Sequence, residues 1–205
     1  MSHVSETIVR EYFESLGFVV SQPCKYLVPG RQKTAEEELD MMIFNPQVTD
    51  QKIPEQIVWE TGDLTGVSRA IVAVRGWHTE RFSKKTFESM PEILRFAQEA
   101  TVRVASRKLG AMNVAKVLCL TDLPASDELK QHAVDILRQK GIDGVILFRT
   151  ILQHLIGHVD RNRNYEKSDV LQMIRILKSY DLIKSGQMEF FGARRRKTAK
   201  KTVEG

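Results

Sequence analysis

The 205-residue sequence predicts an α/β domain built on a mixed sheet, and three observations carry that prediction. Strand-type segments crowd the first third of the chain without helices between them. A regular helix–strand–helix–strand series follows. Arg69-Ala70-Ile71-Val72-Ala73-Val74-Arg75 is β-branched and nearly all apolar, as a central strand covered on both faces must be. Early strands followed by α-β-α-β imply a mixed sheet between layers of helices, not the strict alternation of a doubly wound nucleotide-binding fold.

The elements read in order as follows. Ser5 to Leu16 places Ile8, Tyr12, Phe13 and Leu16 on one helical face, with Gly17 as the stop. Phe18 to Ser21 is a short strand. Pro29-Gly30 through Lys33 is a loop, and Glu38 to Phe44 a second strand ended by Asn45-Pro46. Residues 47–56 form an excursion, and Ile57 to Glu60 either an extra strand or part of it. After the central strand a long helix is expected over Met90 to Leu109, closed by Gly110. Val114 to Leu120 is a strand, and Ser126-Asp127-Glu128 caps a helix that ends before Gly141. Gly144 to Phe148 is a further strand, and helices follow at about 150–159 and 168–180, the second capped by Ser168.

Composition narrows the function classes. The 42% hydrophobic and 28% charged content belongs to an ordinary folded chain. No apolar run reaches the roughly 20 residues needed to cross a bilayer. Cys24 and Cys119, far apart in sequence, cannot form a disulfide framework or by themselves a four-ligand zinc site. Reduced, buried thiols and a first segment without a signal core fit the cytoplasm.

The net charge of +5 is concentrated in one place. Arg194, Arg195, Arg196, Lys197, Lys200 and Lys201 face only Glu204, which leaves residues 1–192 with 25 charges of each sign. The body is neutral and the tail is cationic. Such a tail can bind nucleic-acid phosphates by counterion release, act as a localisation signal, or be a solvated terminus.

Four features stand in a suggestive order. Glu6 lies in the first helix. Glu38 and Asp40 share one face of the second strand. Ala73 and Arg75 share one face of the central strand, which runs directly into Gly76-Trp77-His78. A long helix comes next. The segments Ser5-Glu6 to Leu16-Gly17-Phe18 and Leu39-Asp40 to Val72-Ala73-Val74-Arg75 resemble the PD-(D/E)-x-K superfamily of restriction-endonuclease-like nucleases, in particular its Holliday-junction-resolvase-like branch. The resemblance spans residues 5–150 and rests on topology and spacing.

It implies a three-layer α-β-α nuclease-like core over 1–150, a helical extension over 151–185 packed on the core, and a basic tail over 186–205 expected to be disordered. In that family an aspartate and a glutamate on adjacent strands hold Mg²⁺ or Mn²⁺, which acidifies the attacking water and neutralises phosphate charge. A lysine two residues on positions the nucleophile. Carried over by position, Asp40 is the metal-binding aspartate and Glu6 the helix glutamate. Ala73 falls at the second carboxylate and Arg75 at the lysine. A methyl group cannot ligate a metal, and a guanidinium does not give up its proton. Glu38, Glu60 or a relocated helix acid such as Glu92 would have to complete a metal site.

Plainer readings stand beside these. Asp40 can serve as a strand-edge carboxylate paired with Arg75, and Glu6 suits any first helical turn. Trp77 is able to stack on a base or to pack a groove wall. His78, Arg81, Lys84 and Lys85 form a candidate phosphate-contacting loop, with Arg31 and Lys33 on its other side. The reading reached from sequence is a DNA- or RNA-binding protein of repair, recombination or restriction whose metal-dependent phosphodiesterase activity is absent or weakened. An active Mg²⁺-dependent endonuclease with a displaced glutamate and a non-catalytic protein-interaction subunit are the alternatives, and a homodimer is compatible with each.

Overall fold

A computed structural model describes residues 3–23, 34–76, 78 and 81–183. Helix α1, His3–Ser15, leads into β1, Val19–Ser21, and β2, Met41–Phe44. A 3₁₀ segment at Thr61–Gly66 precedes β3, Arg69–Arg75. Then come α2, Lys84–Ser89, a 3₁₀ segment at Pro91–Ala97, and α3, Glu99–Leu109. The remaining elements are β4, Ala115–Leu120; α4, Asp127–Gln139; β5, Gly144–Leu147; α5, Phe148–His158; and α6, Asp169–Ser179.

The five strands lie in chain order across one sheet. β1, β2 and β3 form an antiparallel meander, with Met41 opposite Val72 and Phe44 opposite Arg69. β4 and β5 then join in parallel, with Ala73 beside Leu118 and Arg75 beside Leu120. The parallel half follows from the helical crossovers, which the antiparallel half lacks. Segment 57–59 continues the sheet beyond β5: Trp59 N donates to Val145 O at 2.8 Å and Val145 N to Ile57 O at 2.6 Å. The sequence left this stretch open between strand and insertion, and it pairs as a one-bridge edge.

Alternation along each strand feeds two cores, as the period of two requires. Met41, Ile43, Val72, Val74, Val117, Cys119 and Ile146 pack with α1, α5 and α6 on one face. Met42, Ile71, Ala73, Leu118, Leu120 and Val145 pack with α2, the Pro91–Ala97 segment, α3 and α4 on the other. The fold is therefore a five-stranded mixed sheet with helices on both faces. α5 begins at Phe148, and its Ile151 and Leu155 belong to the same core as β2 and β3. Leu171 and Ile174 of α6 join that core as well.

Three local expectations need correction. β2 begins at Met41, so Glu38 and Asp40 precede the strand. The helix expected from Met90 to Leu109 is instead a 3₁₀ segment and a separate helix, divided at Gln98. Pro91 removes an amide donor and holds Met90 at φ −126°, ψ 69°, and Gln98 turns extended at ψ 148°. The stretch expected as a loop at 81–85 instead starts a helix at Lys84, capped by Ser83, whose hydroxyl accepts from Thr86 N. The excursion at 47–56 is pinned through Gln51, whose side chain accepts from the backbone N–H groups of Ser68 and Arg69 and donates to Arg69 O.

Two glycines mark contrasting constraints. A β-carbon on Gly144 would meet the Trp59 ring at 2.3 Å, whereas one on Gly157, inside α5, would meet nothing within 4 Å. Gly144→Ala should therefore cost about 1–3 kcal/mol through overpacking. Gly157→Ala should stabilise by about 0.5–1 kcal/mol through helix propensity. Urea denaturation of the two variants checks the opposite signs.

Candidate functional site

The C-terminal end of β3 brings several of the sequence-predicted residues together. Continuing the β2–β3 register by one residue sets Asp40 opposite Ala73. Asp40 Oδ2 accepts from Val74 N at 2.9 Å and from Arg75 Nη1 at 2.7 Å. The Arg75 side chain is 7% exposed and that of Asp40 11%. The guanidinium also donates to Ile93 O at 3.2 Å and to Val74 O at 2.9 Å. Ala73 is fully buried against the apolar face and presents no polar atom.

Helix α1 covers this end of the sheet. Glu6 carries a carboxyl raised above its ordinary value, first by burial and then by the nearby Asp40 charge, with Arg75 among the groups opposing the shift. Ser5 is buried, and a β-carbon on Gly76 would lie 2.3 Å from its hydroxyl. Gly76 is thus the contact that lets the chain leave β3 beneath α1. Ser5 Oγ lies 3.2 Å from His78 Nε2, and the exposed His78 ring stands edge-on to Phe148 with centroids 5.0 Å apart. Ser5, Phe148 and the Ile93 carbonyl were not identified from sequence. Only Gly76, directly after an apolar strand, signalled a close approach there.

Two of the other candidate acids pair with other groups. Glu38 lies 3.8 Å from Arg95 Nη1. Glu60 caps the Thr61–Gly66 segment and accepts from Thr150 at 3.1 Å, which ties it to α5. Glu92 is exposed in the first turn of the Pro91–Ala97 segment. Arg81 sits 3.7 Å from Asp122, and Lys84 3.8 Å from Glu88, all four side chains being more than half exposed. Lys85 is exposed on α2. Arg31, Lys33, Trp77, Arg194, Arg195, Arg196 and Lys197 lie outside the described residues. A groove of about 500 Å³ lined by Phe87, Pro91, Leu94 and Ile136 includes none of Glu6, Asp40 or Arg75.

The donor set does not fit a hard divalent cation. Mg²⁺ requires oxygen ligands in near-octahedral array, yet the Asp40 oxygen that faces β3 already accepts two hydrogen bonds, one from a buried cation. A dication there would meet the Arg75 charge in a poorly solvated setting, where repulsion is strong. Among the described residues no group of three His, Cys, Asp or Glu side chains is arranged to hold a metal. No family model, curated protein or solved structure matches the chain.

The ion pair has measurable consequences. Asp40→Ala strands a buried guanidinium and one backbone N–H, so it should cost about 3–5 kcal/mol. Asp40→Ala combined with Arg75→Met should recover most of that loss in chemical denaturation. For Glu6 the folded carboxyl holds its proton more tightly than the unfolded one. Its stabilising contribution is complete below the unfolded pKa and disappears as pH rises through the folded value. Glu6→Gln should therefore be more stable than the parent at pH 7 and lose less stability between pH 4 and 7.

Proposed function

We propose that this chain is a nucleic-acid-binding protein on a restriction-endonuclease-like scaffold, acting in DNA repair, recombination or restriction without phosphodiesterase chemistry of its own. The observation that carries the reading is the 2.7 Å Asp40–Arg75 ion pair at the end of the meander. It occupies the region where the resemblance calls for two carboxylates and a lysine. The order of elements supports the scaffold: a helix, an antiparallel meander, then a helical crossover to a parallel strand. Ala73 in place of an acid supports the loss of metal chemistry, since a methyl group offers no ligand.

Charge supports the partner. The surplus lies at 194–201, and a polyanion rewards such a run by releasing counterions. Arg81, Lys84 and Lys85 at the start of α2 supply a second, weaker contact, because carboxylates already face two of these cations. Phosphate contacts position a protein without reading sequence, so the binding expected is largely indifferent to base order.

Fluorescence anisotropy with duplex, branched and single-stranded DNA and with RNA tests the proposal. If all six tail cations contact duplex phosphates, log K should fall against log salt with a slope of about −5. Deleting residues 193–205 should flatten that slope and weaken binding at low salt. No cleavage is expected with Mg²⁺ or Mn²⁺. Absence of salt-dependent binding would remove the nucleic-acid half of the reading. Cleavage abolished by Asp40→Ala would remove the non-catalytic half.

A further inference from the structure

Helix α6 presents its faces in an inverted sense. The inward face places Leu171 and Ile174 in the core and buries Lys178, whose ammonium donates to Val159 O at 2.5 Å. Met173, Ile176 and Tyr180 recur at three and four residues on the opposite face. They are 57%, 40% and 75% exposed. A surface helix normally turns its apolar stripe to the core and its charges to water. Here a lysine lies inside and an apolar stripe faces out. The turn after the helix extends that stripe. Asp181, with φ 55°, is the one non-glycine residue with a positive φ among the described residues. Leu182 N then donates back to Leu177 O at 2.9 Å, the closing bond of a Schellman turn. Arg161 Nη2 fastens the turn by donating to Asp181 Oδ1 at 2.7 Å. A left-handed backbone is costly for a residue with a β-carbon, and here it holds Leu182, 70% exposed, beside the last helical turn.

We propose that this face binds a second copy of the chain, α6 against α6 and antiparallel, about a two-fold axis at Ile176. Two features favour a copy over an unlike partner. The stripe complements itself: Met173 and Tyr180 stand three and four residues to either side of Ile176. A two-fold axis there carries Met173 onto the partner's Tyr180 and the reverse, as an isologous interface requires. A thioether against an aromatic ring is a favourable pair. Between Met173 and Tyr180 the stripe holds no charge that its own image would repel. The second feature is area. Apolar patches on the order of 300–600 Å² on a monomer mark interaction surfaces, and these four side chains make one of that order. Two such patches face to face bury about 1,000 Å², the low end of specific interfaces. The dimer is therefore a weak one, in exchange with the monomer.

The interface is independent of the nucleic-acid reading, and sedimentation velocity on the full chain, freed of nucleic acid, tests it. The weight-average mass should rise from monomer to dimer between low and high micromolar concentration. Ile176→Glu sets two like charges on the axis and should weaken dimerisation at least about tenfold. Met112→Glu, which alters an apolar side chain 97% exposed elsewhere, should leave it unchanged. Met173→Glu and Tyr180→Lys should each weaken the homodimer. A mixture of those two variants should pair again, because the antiparallel register sets the new carboxylate against the new ammonium. Circular dichroism confirms that each variant is folded. A monomer at every concentration, a dimer indifferent to Ile176→Glu, an equal loss in Met112→Glu, or no pairing in the mixture would overturn the proposal.

Discussion

The Asp40–Arg75 ion pair is the constraint on which the geometry of this end of the sheet depends. Asp40 lies outside β2 and would have no reason to turn toward β3 without the guanidinium and the Val74 N–H. Arg75, nearly excluded from water, would be costly without a countercharge and further acceptors. It finds those acceptors in the carbonyls of Val74 and Ile93. One side chain therefore joins the approach to β2, the end of β3 and the 3₁₀ segment at Pro91–Ala97. A buried pair of this kind is a poor source of net stability but an expensive one to break. Its chief effect is to fix which groups meet.

Close backbone approach is the second constraint, and it works through glycine at two places. At Gly76 the chain passes beneath Ser5, so α1 can settle over the end of β3 and bring Glu6 within the field of Asp40. At Gly144 the Trp59 ring lies flat against the start of β5, where segment 57–59 extends the sheet. Both sites need the missing β-carbon for space, not for a left-handed backbone. Where handedness does matter, at Gly110 and Gly141, the residues have φ of 63° and 74° and end α3 and α4.

Strong periodicity made much of the fold legible. The β-branched run at 69–75 forms β3 with those very ends, and Ser168 caps α6 as its position suggested. The helical expectations that failed did so where local backbone and capping signals outweighed the spacing of apolar and charged side chains. Ile93, Leu94 and Phe96 have helical spacing, but Pro91 opens a 3₁₀ segment that the extended Gln98 separates from α3, and in that segment the Ile93 carbonyl accepts from Arg75. Lys84 and Lys85 looked like loop cations because nothing in their charge announces the Ser83 cap. At the site, sequence identified Asp40, Ala73 and Arg75, and it weighed a plain Asp40–Arg75 pair beside a metal site. It could not identify Ser5 or the Ile93 carbonyl, because a small side chain and a backbone oxygen leave no pattern in a sequence.

Charge placement separates folding from association. On the described surface, cations at the start of α2 sit beside carboxylates, as Arg81 does with Asp122 and Lys84 with Glu88. Exposed pairs of this sort contribute little to stability, but each dilutes the positive field that a polyanion would meet. A body with equal numbers of both signs steers a polyanion weakly, whereas six cations within eight residues act over about one Debye length at physiological salt. Under the proposed nucleic-acid reading, mutating those six residues should weaken binding to a polyanion. Mutating Asp40 or Arg75 should instead lower the unfolding midpoint, because their charges meet inside the fold.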